Sequence, residues 1–206
     1  MIDYIMGLLT ADGSQKRYTT KSGDLHISMT IELKDKDILD KISKITNSNV
    51  NQRIRNDKYT LYYMIISYKF LEDKGKYFNK HRKGIYNYYK QCKNKIDFIR
   101  GLFDGDGGIC KRTRSKDGLP YWSIYFVVNS QQEEIKQVLD DFAQEYNFKF
   151  SIYFDKRGIG CYNYNISSQK EIKKFYELLY SNKPELYLER KYQKFLELGC
   201  PKMETF

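Results

Sequence analysis

Leu25-His26-Ile27-Ser28-Met29-Thr30-Ile31-Glu32-Leu33 alternates apolar and polar side chains without a break. Successive side chains on a strand point to opposite faces, so this run predicts a strand with one buried and one solvent-facing side. Further strands are predicted near Gln15–Lys21, Val50–Arg55 and Lys58–Tyr68, with turns at Ser22-Gly23-Asp24 and Asn56-Asp57. Helical spacing predicts a helix from about Lys36 to Ile45 and a further helical region running to about Lys93.

The same order returns downstream. Strands are predicted near Ile109–Arg114, Tyr121–Asn129, Lys149–Asp155 and Cys161–Ile166. Helices are predicted near Gln132–Tyr146, Lys170–Tyr180 and Leu186–Leu198. Each half opens on one phrase, Ile2 to Gly13 in the first and Ile96 to Gly107 in the second. Tyr4/Phe98, Leu9/Phe103 and Ala11/Gly105 keep their type, and Ile5/Ile99, Gly7/Gly101, Leu8/Leu102, Asp12/Asp106 and Gly13/Gly107 are identical. A long internal repeat predicts two copies of one structural unit, residues 1–94 and 95–206. Each phrase reads as a helix, with Gly13 and Gly107 as C-terminal stops.

Gly7 and Ala11 are four residues apart, as are Gly101 and Gly105, so each pair shares one helix face. Small residues at that spacing let two helices approach closely, with Ile5, Leu8, Leu9 and Ile99, Leu102, Phe103 facing their own cores. The expected consequence is that Asp12 and Asp106 meet at two helix C-termini. That is a poor place for carboxylates, because the helix end is already partially negative and the two repel. Divalent cations would neutralise them, and Mg²⁺ binds through one or two carboxylates with water and phosphate oxygens.

Charge supports a polyanionic partner. The 206 residues carry 36 Lys+Arg against 26 Asp+Glu, a formal net charge of +10. A basic surface favours nucleic acid. The excess sits mostly in residues 1–94, which predicts a larger phosphate-contact share and steeper salt dependence for the first half. Cys92, Cys110, Cys161 and Cys200 form no Cys-x-x-Cys pair, and His26 and His81 are the only histidines, so a zinc site of ordinary spacing is not expected. Scattered thiols fit an intracellular, reducing compartment: a bacterial or phage-infected cytoplasm, or an organelle. No signal peptide or membrane-spanning run is expected. Asp104 to Gly108 loosely matches a calcium loop but has Ile109 and Ser115 where glycine and glutamate are required.

Ile5–Gly13 and Ile99–Gly107 resemble the two copies of the LAGLIDADG motif of homing endonucleases. The resemblance implies an α+β fold of two pseudo-symmetric αββαββα half-domains, packed through the motif helices, each with a four-stranded antiparallel DNA-binding sheet. It implies a monomeric, sequence-specific double-strand DNA endonuclease with a long pseudo-palindromic or asymmetric target. Asp12 and Asp106 would hold the metals, assisted by the carbonyls of Ala11 and Gly105. Mg²⁺ is the expected cofactor, with Mn²⁺ substituting and Ca²⁺ supporting binding without cleavage. Lys191 is the expected basic residue beside the reacting phosphate, with Lys80 or Lys83 as first-half counterpart, and Gln131 resembles the residue that orients water. Thr10 departs from the pattern where Asp104 keeps an acid. The rival reading is a non-cleaving binder of the same fold, an intron maturase or a regulator.

Alternation assigns the DNA-facing sets. In the first half these are Gln15, Arg17, Thr19 and Lys21; His26, Ser28 and Thr30; and Asn51, Arg53 and Arg55. In the second they are Arg112 and Arg114; Tyr121, Ser123 and Tyr125; and Tyr153. Arginine suits guanine, and glutamine or asparagine suits adenine.

Overall fold

The computed structural model describes residues 1–19, 21, 23, 25–55, 59–67, 70, 83–182 and 184–200. The first half runs α1 (Ile2–Asp12), β1 (Ser14–Thr19), β2 (Leu25–Leu33), α2 (Lys36–Thr46), β3 (Val50–Arg55), β4 (Tyr59–Ser67) and α3 (Ile85–Gln91). The second runs α4 (Lys95–Asp106), β5 (Gly107–Thr113), β6 (Pro120–Asn129), α5 (Glu133–Glu145), β7 (Ser151–Asp155), β8 (Cys161–Ile166), α6 (Gln169–Tyr180) and α7 (Glu189–Glu197). Two four-stranded antiparallel sheets result, ordered β1-β2-β4-β3 and β5-β6-β8-β7.

Helices cover one face of each sheet. In the first, Met29 and Ile31 of β2 and Met64 and Ile66 of β4 are buried with Ile38, Leu39 and Ile42 of α2. The α2 positions recur at one, three and four residues, the spacing of a single apolar stripe. In the second, Ile124, Phe126 and Val128 meet Ile135, Val138, Leu139 and Phe142 of α5. Phe103 of α4 stands at the centre, with ring centroids 5.4 Å from Phe126, 5.2 Å from Phe175 and 5.9 Å from Phe195. Tilted and edge-on aromatic pairs at such distances add to plain burial.

The motif helices α1 and α4 are buried on nearly every side, across Asp3–Thr10 and Phe98–Asp104. Their glycines set how close they come. A methyl on Gly7 would strike the Phe98 carbonyl oxygen and stand 2.8 Å from the Leu102 nitrogen. A methyl on Gly101 would strike the Tyr4 carbonyl oxygen and stand 2.8 Å from the Leu8 nitrogen. These are the same contacts with the copies exchanged, so the seam is a local twofold.

One sequence expectation holds and two change. Gly13 and Gly107 are the C-terminal stops of the motif helices as the repeat predicts, both with φ −73° and continuing directly into strands. They are constrained sterically: a side chain on Gly13 would strike the Leu9 carbonyl, and one on Gly107 the Phe103 ring. The last helix starts at Glu189 rather than Leu186, because Leu188 is extended (φ −82°, ψ 112°). The face assignment of β1 is also reversed. The register pairs Gln15 with Met29 and Arg17 with Ile27, while Ser14 pairs with Thr30 and Lys16 with Ser28. Gln15 and Thr19 therefore take the parity of the helix-covered face, and Ser14 that of the open face. The segment Ser-Gln-Lys-Arg-Tyr-Thr has no aliphatic residue to set its phase. On an edge strand, polar residues of the helix-side parity still reach solvent.

Candidate metal and nucleic-acid site

Both motif helices end where the seam meets the open faces of the sheets. Asp12 and Asp106 are exposed at these ends. Gly105 packs on Ala11, where an added methyl would collide with the Ala11 Cβ and stand 3.1 Å from Asp12 Oδ2. The carboxylate of the first motif thus lies against the residue preceding Asp106. Two acidic side chains, two negative helix ends and a carbonyl-rich backbone converge on one spot.

Lys191 of α7 serves the same spot from below and is only 4% exposed. Its ammonium donates to the Phe103 carbonyl, to Gly107 O at 2.5 Å and to Gly105 O at 3.5 Å. Phe103 and Gly105 lie in the last turn of α4 and Gly107 opens β5, and the Phe103 carbonyl also accepts the Gly107 N–H that closes the helix. Burial pulls the Lys191 pKa down to about 8, opposed by Asp104 and then by Asp12 and Asp106, while Arg190 adds to the depression. Both motif aspartates therefore lie close enough to act on one ammonium.

Asp104 is fully buried beside it, and burial pushes its pKa up to about 6 against the pull of Lys191 and its hydrogen bonds. A cleft lined by Asp12, Glu32, Leu33, Lys34, Asp35, Leu61, Gly105 and Arg190 opens from Asp12 toward the first sheet. Arg190 reaches across to Asp35 at 2.9 Å, tying α7 to the first half.

The open faces can be read off the register. In the first sheet Ser28 and Thr30 lie opposite Ser67 and Ile65, and Asn51 and Arg53 opposite Tyr63 and Leu61. Arg53 is engaged by Glu32, its Nε donating to Oε1 at 2.8 Å. The backbone of His26 pairs with Tyr18 and that of Arg55 with Tyr59, and Lys21 stands exposed beyond β1. In the second sheet Arg112, Tyr121, Ser123 and Tyr125 share one face, but Ser123, on a central strand, is buried rather than exposed as alternation predicts. Arg112 Nε donates to Cys110 Sγ at 3.2 Å, and its guanidinium lies 5.7 Å from the Tyr125 ring centre. The Tyr125 ring lies over Gly108, where a side chain would collide with it. Tyr153 pairs with Asn163, and Arg114 N donates to Leu119 O in the hairpin beyond β5. Gln131 lies exposed in the turn after β6, its N–H donating to Asn129 Oδ1 at 2.8 Å. Lys83 is exposed ahead of α3, and Lys80 lies outside the described residues.

Asn163 and Asn165 were overlooked by the sequence reading and belong to this open face, opposite Val127 and Tyr125. The signal was available: Cys161-Tyr162-Asn163-Tyr164-Asn165-Ile166 alternates polar and aromatic or apolar residues throughout. Asn165 is 7% exposed, and both its amide atoms lack hydrogen-bond partners among the described residues.

Among the described residues, no group of three or more His, Cys, Asp or Glu could hold a metal by itself. That excludes a protein-only cage there.

Comparison with known proteins agrees with this geometry. Residues 93–180 match the family model described as a LAGLIDADG-like domain. No curated protein matches the sequence. The fold resembles that of I-LtrWI, a LAGLIDADG homing endonuclease bound to target DNA, with TM-score 0.65, 16% identity, and coverage of 96% of this chain and 87% of that one. It also resembles I-SmaMI bound to an uncleaved DNA target with calcium ions, with TM-score 0.64, 12% identity, and coverage of 96% and 88%. I-AabMI, a LAGLIDADG meganuclease bound to uncleaved DNA, gives TM-score 0.64 at 15% identity, covering 95% and 88%. At these identities the likeness establishes the fold. No helix among the described residues is long and apolar enough to cross a membrane.

Proposed function

We propose that this chain, a LAGLIDADG protein with two half-domains in one polypeptide, is a sequence-specific double-strand DNA endonuclease acting as a monomer in intron homing. The observation that carries this reading is the convergence of Asp12 and Asp106 at two touching helix ends, beside a buried lysine and between two open sheet faces. A purely structural seam would be more stable with neutral residues at those ends.

The two sheets would lie along the major groove on either side of the seam, with residues 1–94 and 95–206 each reading one half-site. Arg112, Arg53, Asn51, Asn163 and Asn165 offer the side chains that discriminate base edges. Lys21 and other turn lysines suit phosphates. The seam then faces the minor groove between the half-sites, where the scissile phosphates are presented.

At the seam Asp12 and Asp106 would hold divalent ions, Mg²⁺ or Mn²⁺, with help from the carbonyls of Ala11 and Gly105. Bound there, such ions neutralise phosphate charge and make water a competent nucleophile near neutral pH. The protein's part is positioning. The carboxylates fix the place of reaction, the packed glycines fix the distance between the two ends, and the Lys191 ammonium offsets the charge that develops on the phosphate. Gln131, exposed in the turn after β6, would orient the attacking water.

The test is cleavage of a randomised duplex library. With Mg²⁺ the protein is expected to cut a defined sequence, and with Ca²⁺ to bind it uncut. Asp12→Asn and Asp106→Asn should each bind but fail to cut one or both strands. Sequence-selective binding in Mg²⁺ without cleavage by the unaltered protein would instead support a maturase or regulator.

A further inference from the structure

Asp104 and Thr10 occupy the same place in the two motif copies and act differently. The Thr10 hydroxyl donates to the Met6 carbonyl of its own helix at 2.7 Å, so its contact is local. Asp104 accepts from three other elements. The Tyr4 hydroxyl of α1 donates at 2.8 Å, the Tyr180 hydroxyl at the end of α6 at 3.1 Å, and the Leu188 N–H at 2.8 Å.

Leu188 is the extended residue in front of α7, and its carbonyl accepts from the Lys191 N–H at 3.0 Å and the Tyr192 N–H at 3.1 Å. Two hydrogen bonds therefore lead from the carboxylate to the first turn of α7. Lys191 projects from that turn, and its ammonium reaches the Phe103 and Gly107 carbonyls on either side of Asp104. Arg100, one turn earlier on α4, secures the segment leading in. Its guanidinium donates to Leu186 O at 3.0 Å and Leu179 O at 2.8 Å, and sits 5.6 Å from the Tyr4 ring centre. Leaving a carboxylate wholly buried is unfavourable unless its bonds are made. Here Tyr4 and Tyr180 satisfy part of it, and the remaining bond, from the Leu188 N–H, is made at the entry to α7.

We infer that Asp104 is a positioning residue: it fixes the entry of α7 so that the Lys191 ammonium is held at the end of the second motif helix, a device that, among the described residues, the Thr10 hydroxyl does not provide for the first. The placement of Lys191 stands on these contacts alone. The consequence, that the two strands of a bound duplex are cut at unequal rates, rests on the nuclease reading above.

The experiment uses the full chain with Asp104→Asn, Asp104→Thr, which installs the residue of the first copy, and Tyr180→Phe, which removes one donor without changing charge. Lysines are pulse-labelled with an amine-acylating reagent and located by mass spectrometry. Labelling of Lys191 should rise about tenfold or more in Asp104→Thr and by less in the other two, while labelling of Lys36 and Lys170 stays unchanged. An unchanged Lys191 rate in folded Asp104→Asn and Tyr180→Phe overturns the positioning role. A general rise at all lysines would show loosening of the whole fold and overturns it too. On a supercoiled plasmid carrying a selected target, the Asp104 variants should accumulate nicked circles at unchanged DNA affinity. Equal slowing of both strands overturns the inequality. If the unaltered protein cuts no sequence, the nuclease reading falls while the labelling result stands.

Discussion

Gly7 lies so close to the Phe98 carbonyl oxygen that no side chain fits between them, and Gly101 repeats the relationship with Tyr4. The obstacles are backbone atoms of a buried helix, which cannot rotate aside. Gly7→Ala and Gly101→Ala should each destabilise the protein by about 2 kcal/mol or more, as overpacking of a rigid contact does. Urea unfolding of the single variants measures this. A loss below about 0.5 kcal/mol would mean that the seam is looser than this geometry requires.

Glu134 on α5 accepts the Gly84 N–H at 2.8 Å and the Tyr86 N–H at 3.0 Å, capping α3 from the other half of the chain. A carboxylate at a helix N-terminus meets both unpaired donors and the helix dipole. Glu134→Ala should cost about 1–2 kcal/mol by chemical denaturation, and hydrogen exchange should quicken first in residues 85–91.

Cys92 is half-buried, and its thiol donates to the Tyr89 carbonyl at 3.2 Å. Burial, followed by the charge of Asp3, pushes its pKa up to about 12. Only the thiolate attacks a disulfide reagent. At pH 8 Cys92 should therefore stay unmodified in the folded protein and react on unfolding. Rapid modification of Cys92 in native protein would contradict this.

Asn165 keeps two polar atoms buried without partners among the described residues, on the face proposed to meet DNA. Replacing such a group by an apolar one of similar shape removes a desolvation penalty. Asn165→Leu should therefore melt at the same temperature as the unaltered protein, or higher. In a library selection it should lose about tenfold in preference at one base pair of the second half-site. A lower melting temperature with an unchanged selected sequence would assign Asn165 to the core instead.

Glu32 holds Arg53 beside the Asp12 cleft. Both are partly exposed, so Glu32→Gln should change stability by less than about 1 kcal/mol. It removes a negative charge where a phosphate backbone is proposed to pass. DNA affinity should rise, and its logarithm should fall more steeply with the logarithm of salt concentration. Fluorescence anisotropy at several salt concentrations checks both.

Much of this architecture was legible because it follows local rules. The run from Leu25 to Leu33 is a strand over those same residues, and Val50–Arg55 and Cys161–Ile166 likewise match the alternation. The repeat correctly implied that the two motif helices approach closely through their small residues. Where no apolar residue sets the phase, the reading failed: β1 is uniformly polar, and its register with β2 reversed the assignment of Gln15 and Thr19. The start of α7 was misplaced because Leu188 is held extended by a hydrogen bond to Asp104, 84 residues away in sequence.

The sequence by itself determined the two-copy plan, the element order, the pairing of the motif helices and the identity of the acids at their ends. All of these depend on periodicity or on side-chain size within one repeat. Only the tertiary structure decided that Lys191 is buried beneath both aspartates, that Asp104 joins three elements while, among the described residues, the Thr10 hydroxyl bonds within its own helix, and which parity of each edge strand faces outward. Those features arise from contacts between distant segments, whose geometry is set by packing of the whole core rather than by any local pattern.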